Sequence, residues 1–152
     1  MVLSPRWSGD AAALREMRGQ LDVGLHLDFT SPMACAAGFG RSLGSMMWRT
    51  LWPLGEALRQ QWREAIERQC DAFERHWHHA PDHLDGHQHV QQFAGLRDLV
   101  LEVMQRRYGQ DERRAWLRVS QVGQPEMKAA IITCWGAQPW ARQLQSAGWH
   151  GL

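Results

Sequence analysis

Segments of two-residue period alternate along this chain with segments of helical period, and that alternation limits the folds open to it. In LDVGLHLDF (residues 21–29), Val23, Leu25, Leu27 and Phe29 point one way and Gly24, His26 and Asp28 the other, which reads as a strand. From Leu54 to Trp77 the period changes. Leu58, Trp62, Ala65, Ile66, Gln69, Cys70, Phe73 and Trp77 recur at three- and four-residue steps, the apolar stripe of a long helix. Pro81 ends what precedes it, and DHLD (82–85) reads as a brief strand before Gly86. A further helix is predicted over 96–108, with Leu96, Leu99, Val100, Val103 and Met104 in phase and Gly109 closing it. AWLRVS (115–120) reads as another strand.

The flanks complete the order. DAAALREMR (10–18) reads as a short helix capped by Asp10 and stopped at Gly19. Residues 30–48, rich in Gly, Ser and Met and without a steady period, read as a long loop with room for a helical turn. EMKAAIITCWGA (126–137) and PWARQLQSAGW (139–149) read as helices, the latter with Pro139 in its favoured first turn. Strands alternating with helices imply parallel strands and crossover helices, an α/β protein. Parallel sheets are normally covered on both faces, and so few strands make a poor domain. Residues 1–152 therefore read as a single, incomplete domain.

Composition removes several function classes. At 152 residues the chain has the length of about one domain. Its formal charge of +1 gives no electrostatic reason to expect nucleic acid or an anionic membrane as partner. No apolar run approaches the ~18 residues of a membrane-spanning helix. Cys35, Cys70 and Cys134 lack CxxC spacing, and MVLSPRWSGD carries no signal-peptide pattern, so reduced thiols in the cytoplasm are expected. Nine tryptophans are scattered from Trp7 to Trp149. Such indoles usually pack cores and grooves, and some sugar sites use them as stacking platforms.

In a parallel α/β sheet, functional groups gather where the strands end. His26 and Asp28 lie near the end of the first predicted strand, Asp85, His87 and His89 follow the next, and Arg118 lies near the end of the last. Imidazole and carboxylate are the usual ligands of zinc-type ions, and an open catalytic site takes about three plus water. Each residue also has a plainer reading. A lone histidine in an apolar strand, such as His26, is more often a hydrogen-bonded core residue. The run HWHHAPDH, with His76, His78, His79 and His83, reads as a solvated helix terminus favoured by the dipole. DGHQH (85–89) is the more specific signal, open between a metal site and a polar loop. No GxSxG elbow, phosphate-cradling glycine loop, HExxH or zinc-finger spacing occurs.

Taken together, VGLHLDFT and PDHLDGHQHV resemble the YdjC-like carbohydrate deacetylases, a family that includes chitooligosaccharide and hopanoid-associated enzymes. Gly24-Leu25-His26 matches the family's G-[LM]-H strand end, and Pro81 to Val90 matches P-x-x-[LV]-D-[SG]-H-x-H-V. WLRVS, with Arg118, and MKAAIITCWGA look like the segments that follow.

The resemblance implies a deformed (β/α) barrel, here partial, with parallel strands. It also implies metal-dependent hydrolysis of an N-acetyl group from an amino sugar or a glycolipid carrying one. On that pattern His26 and His87 are ligands of a divalent ion, magnesium or zinc. Asp85 orients an imidazole, His89 supports the site or meets substrate, and Arg118 holds a carboxylate or sugar oxygen. The third ligand would be an aspartate of an A-D-D-F-G motif on the family's first strand, with its neighbour the candidate general base. No such motif occurs here, so the base is expected outside this chain, which reads as an internal fragment. Gln91 and Ala94 also stand near places where the family often has a third histidine and a proline. The competing expectation is a non-catalytic remnant that binds metal or a partner, with exposed barrel edges favouring a homo-oligomer.

Overall fold

A computed structural model describes residues 2–110, 115–120 and 136–151. The elements run α1 (Trp7–Arg15), β1 (Leu25–Leu27), α2 (Pro32–Ala36), α3 (Leu43–Arg49), α4 (Glu56–Trp77) and β2 (His83–Gly86). A 3-10 helix (His87–Gln92), α5 (Leu96–Tyr108), β3 (Trp116–Leu117) and α6 (Gln138–Ser146) follow. The strands form one parallel sheet in the order β1-β2-β3, with Leu25 opposite Leu84, His26 opposite Asp85 and Leu84 opposite Leu117.

Sequential order with right-handed crossovers places α4 and α5 on the same face of the sheet. Leu25, Leu27, Leu84 and Leu117 turn to that face and are fully buried. They meet the α4 stripe of Trp62, Ala65, Ile66, Cys70, Phe73 and Trp77 and the α5 set of Leu96, Leu99, Val100, Val103 and Met104. Ion pairs lock the two helices outside this core. Arg107 meets Glu67, Asp71 and Glu74 at 2.6, 2.7 and 3.0 Å, and Arg63 meets Glu102 at 2.8 Å. The other face alternates with the buried one and carries His26, His83, Asp85, Trp116 and Arg118. Among the described residues the sheet is open, so an α/β arrangement is present without barrel closure.

Several boundaries differ from the sequence reading. α1 begins at Trp7, and Asp10 lies in its first turn, where it complements the dipole without capping. Residues 30–48 hold two short helices where a loop was expected. Ser31 accepts hydrogen bonds from Met33 and Ala34 N–H ahead of Pro32, and Ser42 accepts one from Ser45 N–H. Helices of this length are made by their caps, so apolar period gives no sign of them. The helix expected over 126–137 lies almost wholly outside the described residues. Cys35 is exposed, and burial pushes the Cys70 thiol up to about 11.

One side chain fixes where β1 ends. Gln69, fully buried on α4, accepts the Asp28 N–H at 2.8 Å and donates to the Asp28 carbonyl at 3.0 Å. The amide stands where a neighbouring strand's backbone would stand. Gln69→Leu keeps the bulk and strands two buried backbone groups, each worth about 1–3 kcal/mol when unpaired. Urea unfolding is expected to show a loss of about 2–4 kcal/mol at unchanged m. A loss below ~0.5 kcal/mol contradicts the role.

Candidate functional site

The site is built across the middle strand. His26 on β1 and Asp85 on β2 are register neighbours, and His26 Nδ1 lies 3.3 Å from Asp85 Oδ2. Arg118, just beyond β3, brings Nη1 to 3.2 Å from the same oxygen. Gly86 N–H donates to Asp85 Oδ1 at 2.7 Å. Burial opposes the charge on Asp85, but the hydrogen bonds from His26 and Gly86, with the neighbouring His26 and Arg118, outweigh it and hold the carboxyl down at about 2. At neutral pH Asp85 is therefore an acceptor, which fixes the proton of a neutral His26 on Nδ1 and leaves Nε2 with the lone pair.

His87 follows β2 directly. Its ring meets that of His26 edge to face, with centroids 5.7 Å apart and planes at 77°. The backbone then does something costly. Gln88 and His89, both non-glycine, sit consecutively in the left-handed region at φ 53° and 59°, a conformation worth about 1–3 kcal/mol of strain each. Side chains beneath the turn hold it there. His89 Nδ1 shares a hydrogen bond of 2.8 Å with Ser120 Oγ, and Ser120 N–H donates to Gln92 Oε1 at 2.9 Å. Buried Gln91 donates to the Arg118 carbonyl at 3.2 Å, which Trp140 Nε1 also reaches at 3.1 Å. Gly86 admits Gln91, because a Cβ on it would lie 2.3 Å from Gln91 Oε1.

The structure thus brings His26, Asp85, His87 and Arg118 together, with His89 on the adjoining turn. Asp28 does not join them. It is fully buried, and its carboxylate accepts from the Thr30 and Ser31 N–H groups at 3.2 and 3.0 Å and from the Ser31 hydroxyl. His83 departs from the helix-terminus reading, because it lies in β2 on the site's side of the sheet. Its ring stacks on Trp116 at 4.4 Å and 16°, and burial lowers its pKa. His76, His78 and His79 stay at the α4 end, where Arg15 reaches the His76 carbonyl and the His78 ring, and Arg18 reaches His79. A cavity of about 790 Å³ at that opposite end is lined by Arg18, Asp22, Trp77, His79 and Asp82, and by none of the site residues. The sequence singled out neither Gln92 nor Ser120, and it read Gln91 only as a departure from a family pattern. Their roles are contacts between distant segments, which no local spacing signals.

A protein-family model described as YdjC-like protein matches residues 1–151. The chain belongs to the YdjC-like family. Comparisons with curated proteins and with solved structures gave no match. The family is of carbohydrate deacetylase type and its members are metal-dependent. Two imidazoles, one of them backed by a carboxylate, suit a divalent ion in kind. They fall short in number, because no group of three or more His, Cys, Asp or Glu able to hold a metal occurs among the described residues. Nor is any described helix long and apolar enough to cross a membrane.

Gly24 governs the floor of the site. A Cβ there would lie 2.2 Å from two atoms of the His83 ring, so only glycine leaves room for the His83–Trp116 stack. Gly24→Ala is expected to cost about 1–3 kcal/mol in thermal or urea unfolding, with a changed near-UV signal. Gly9→Ala, which meets nothing within 4 Å, serves as the control and should not destabilise.

Proposed function

We propose that this chain carries the imidazole side of a carbohydrate N-deacetylase site, acting on an N-acetylated amino sugar or a glycolipid bearing one. The observation that carries this reading is the His26–Asp85–Arg118 chain of contacts with His87 set edge-on to His26. His26 and His87 would hold the divalent ion, zinc or magnesium, together with a donor from beyond the described residues. When bound, such an ion polarises an acetamide carbonyl and makes a water more acidic.

The chain's own residues prepare for that chemistry. Asp85 keeps the Nε2 lone pair of His26 available and stops the ring from rotating. Arg118 balances the Asp85 charge, and its half-exposed guanidinium keeps further N–H groups for a substrate oxygen. His89, tied to Ser120 through Nδ1, keeps Nε2 for substrate. A reduced, cytoplasmic setting fits the unpaired thiols of Cys35 and Cys70.

Among the described residues no carboxylate stands free at this site to act as general base. Asp85 spends its oxygens on His26, Arg118 and Gly86, and Asp28 is folded into its own turn. That shortage supports a second reading, a module that binds metal or a partner without turnover.

Zinc binding by calorimetry and acetate release from N-acetylglucosamine oligomers with zinc or magnesium separate the two. His26→Ala and His87→Ala are expected to abolish turnover and weaken zinc binding, and Asp85→Asn to weaken it about 10–100-fold. Zinc binding without turnover in the parent chain selects the second reading. Turnover that survives in both histidine variants sinks the site assignment.

A further inference from the structure

Four of the nine tryptophans, Trp62, Trp77, Trp140 and Trp149, are buried, whereas Trp48 and Trp52 are 66% and 61% exposed. Both exposed indoles lie in the connection from β1 to α4. In a parallel sheet the strand-to-helix connections share one rim, the rim that carries His26 and His87. Trp52 also lines a pocket of about 410 Å³, within the range of small-ligand sites. The pocket is made by that connection, by the one from β2 to α5 and by the first turns of α4 and α5, with Thr50, Leu54, Arg59, Gly95 and Asp98 on its walls. Gly95, at φ 75°, lets the two connections close on each other: a Cβ there would lie 2.8 Å from Leu54 Cδ1.

The polar groups in this pocket still have unused hydrogen-bonding capacity. Asp98 Oδ1 accepts from Gln143 at 2.9 Å, and no other partner of its carboxylate is found among the described residues. Among the described residues the Arg59 guanidinium meets only the exposed Glu56, at 4.0 Å. Thr50 uses its hydroxyl proton on the Met46 and Met47 carbonyls and keeps lone pairs to accept. An indole face beside a carboxylate, a guanidinium and a hydroxyl suits a pyranose ring, whose C–H face is apolar and whose edge is a ring of hydroxyls. A lipid bilayer suits it less, because it would press the Asp98 carboxylate against a surface that offers it no partner.

We propose that this pocket is a second carbohydrate subsite, which binds a neighbouring sugar unit of an oligosaccharide whose acetylated unit lies at His26 and His87. The proposal rests on the deacetylase reading above. Seven positions along the chain separate His87 from Ala94 on the pocket wall, and that much chain spans at most ~25 Å, so the pocket is a place for another ring of the same ligand. Affinity should then rise with chain length.

Calorimetry with N-acetylglucosamine and its trimer tests this on the full chain. The parent is expected to bind the trimer about tenfold more tightly than the monomer, the size of one good aromatic contact. Trp52→Ala and Asp98→Asn should each remove most of that preference and leave monomer affinity and Tm unchanged. A trimer preference that survives Trp52→Ala overturns the subsite. Acetate release from the monomer with no trimer preference in the parent overturns the subsite alone, and binding of neither sugar overturns it together with the deacetylase reading. Cosedimentation with phosphatidylcholine–phosphatidylglycerol vesicles that is lost in Trp52→Ala, with sugar affinity intact, overturns it in favour of a membrane-facing patch.

Discussion

The Asp85 carboxylate is the tie on which the rest of the site depends. It stands on the central strand of an order β1-β2-β3, so a single side chain reaches His26 on one neighbour and Arg118 past the other. A carboxylate largely removed from water is costly unless its lone pairs are used. Here both oxygens have donors, and the anion is the stable form. The strand order and the charge pattern are thus one fact: a different neighbour for β2 would leave the half-buried Asp85 with only the Gly86 N–H as a donor.

The backbone follows the same logic on the opposite side of β1. The strand is an edge among the described residues, and edges expose unpaired peptide groups. Gln69 answers this by giving the Asp28 peptide a side-chain amide in place of a strand. β1 is thereby held at its C-terminal end, two residues from His26. The apolar residues of α4 and the alignment of a site histidine are therefore set by one helix. The long periodic stripe that drives burial also carries the glutamine that positions the rim.

The elements that bury large surfaces could be read in the sequence, because burial repeats. Trp62 to Trp77 and Leu96 to Met104 show the helical period and form the expected helices, and Val23 to Phe29 show the strand period, of which Leu25–Leu27 form a strand. What could not be read depends on one local bond or on one distant partner. α2 and α3 rest on the Ser31 and Ser42 caps. His83 stands near the helix-end histidines in sequence, yet Pro81 turns the chain and the next residues enter the sheet. The pairing of His26 with Asp85 is a register, and registers are not written in either strand alone. Resemblance to a family put His26 and His87 in one site, but which imidazole Asp85 meets came from the register alone.

The turn after β2 gives the strongest reason to treat the rim as more than a polar loop. Consecutive non-glycine residues in the left-handed region oppose folding by an amount comparable with several ordinary hydrogen bonds. Asparagine or glycine at 88 and 89 would relax that strain. Instead the chain keeps Gln88 and His89 and holds them with buried glutamines and a serine from beyond β3. Strain maintained by so many partners supports a geometry that matters in itself, here the presentation of His87 and His89 on either side of a sharp bend. That no group of three metal-type donors occurs among the described residues bears on the proposed turnover and not on this preparation. The rim thus presents two imidazoles, one aligned by Asp85 and the other leading into the strained turn.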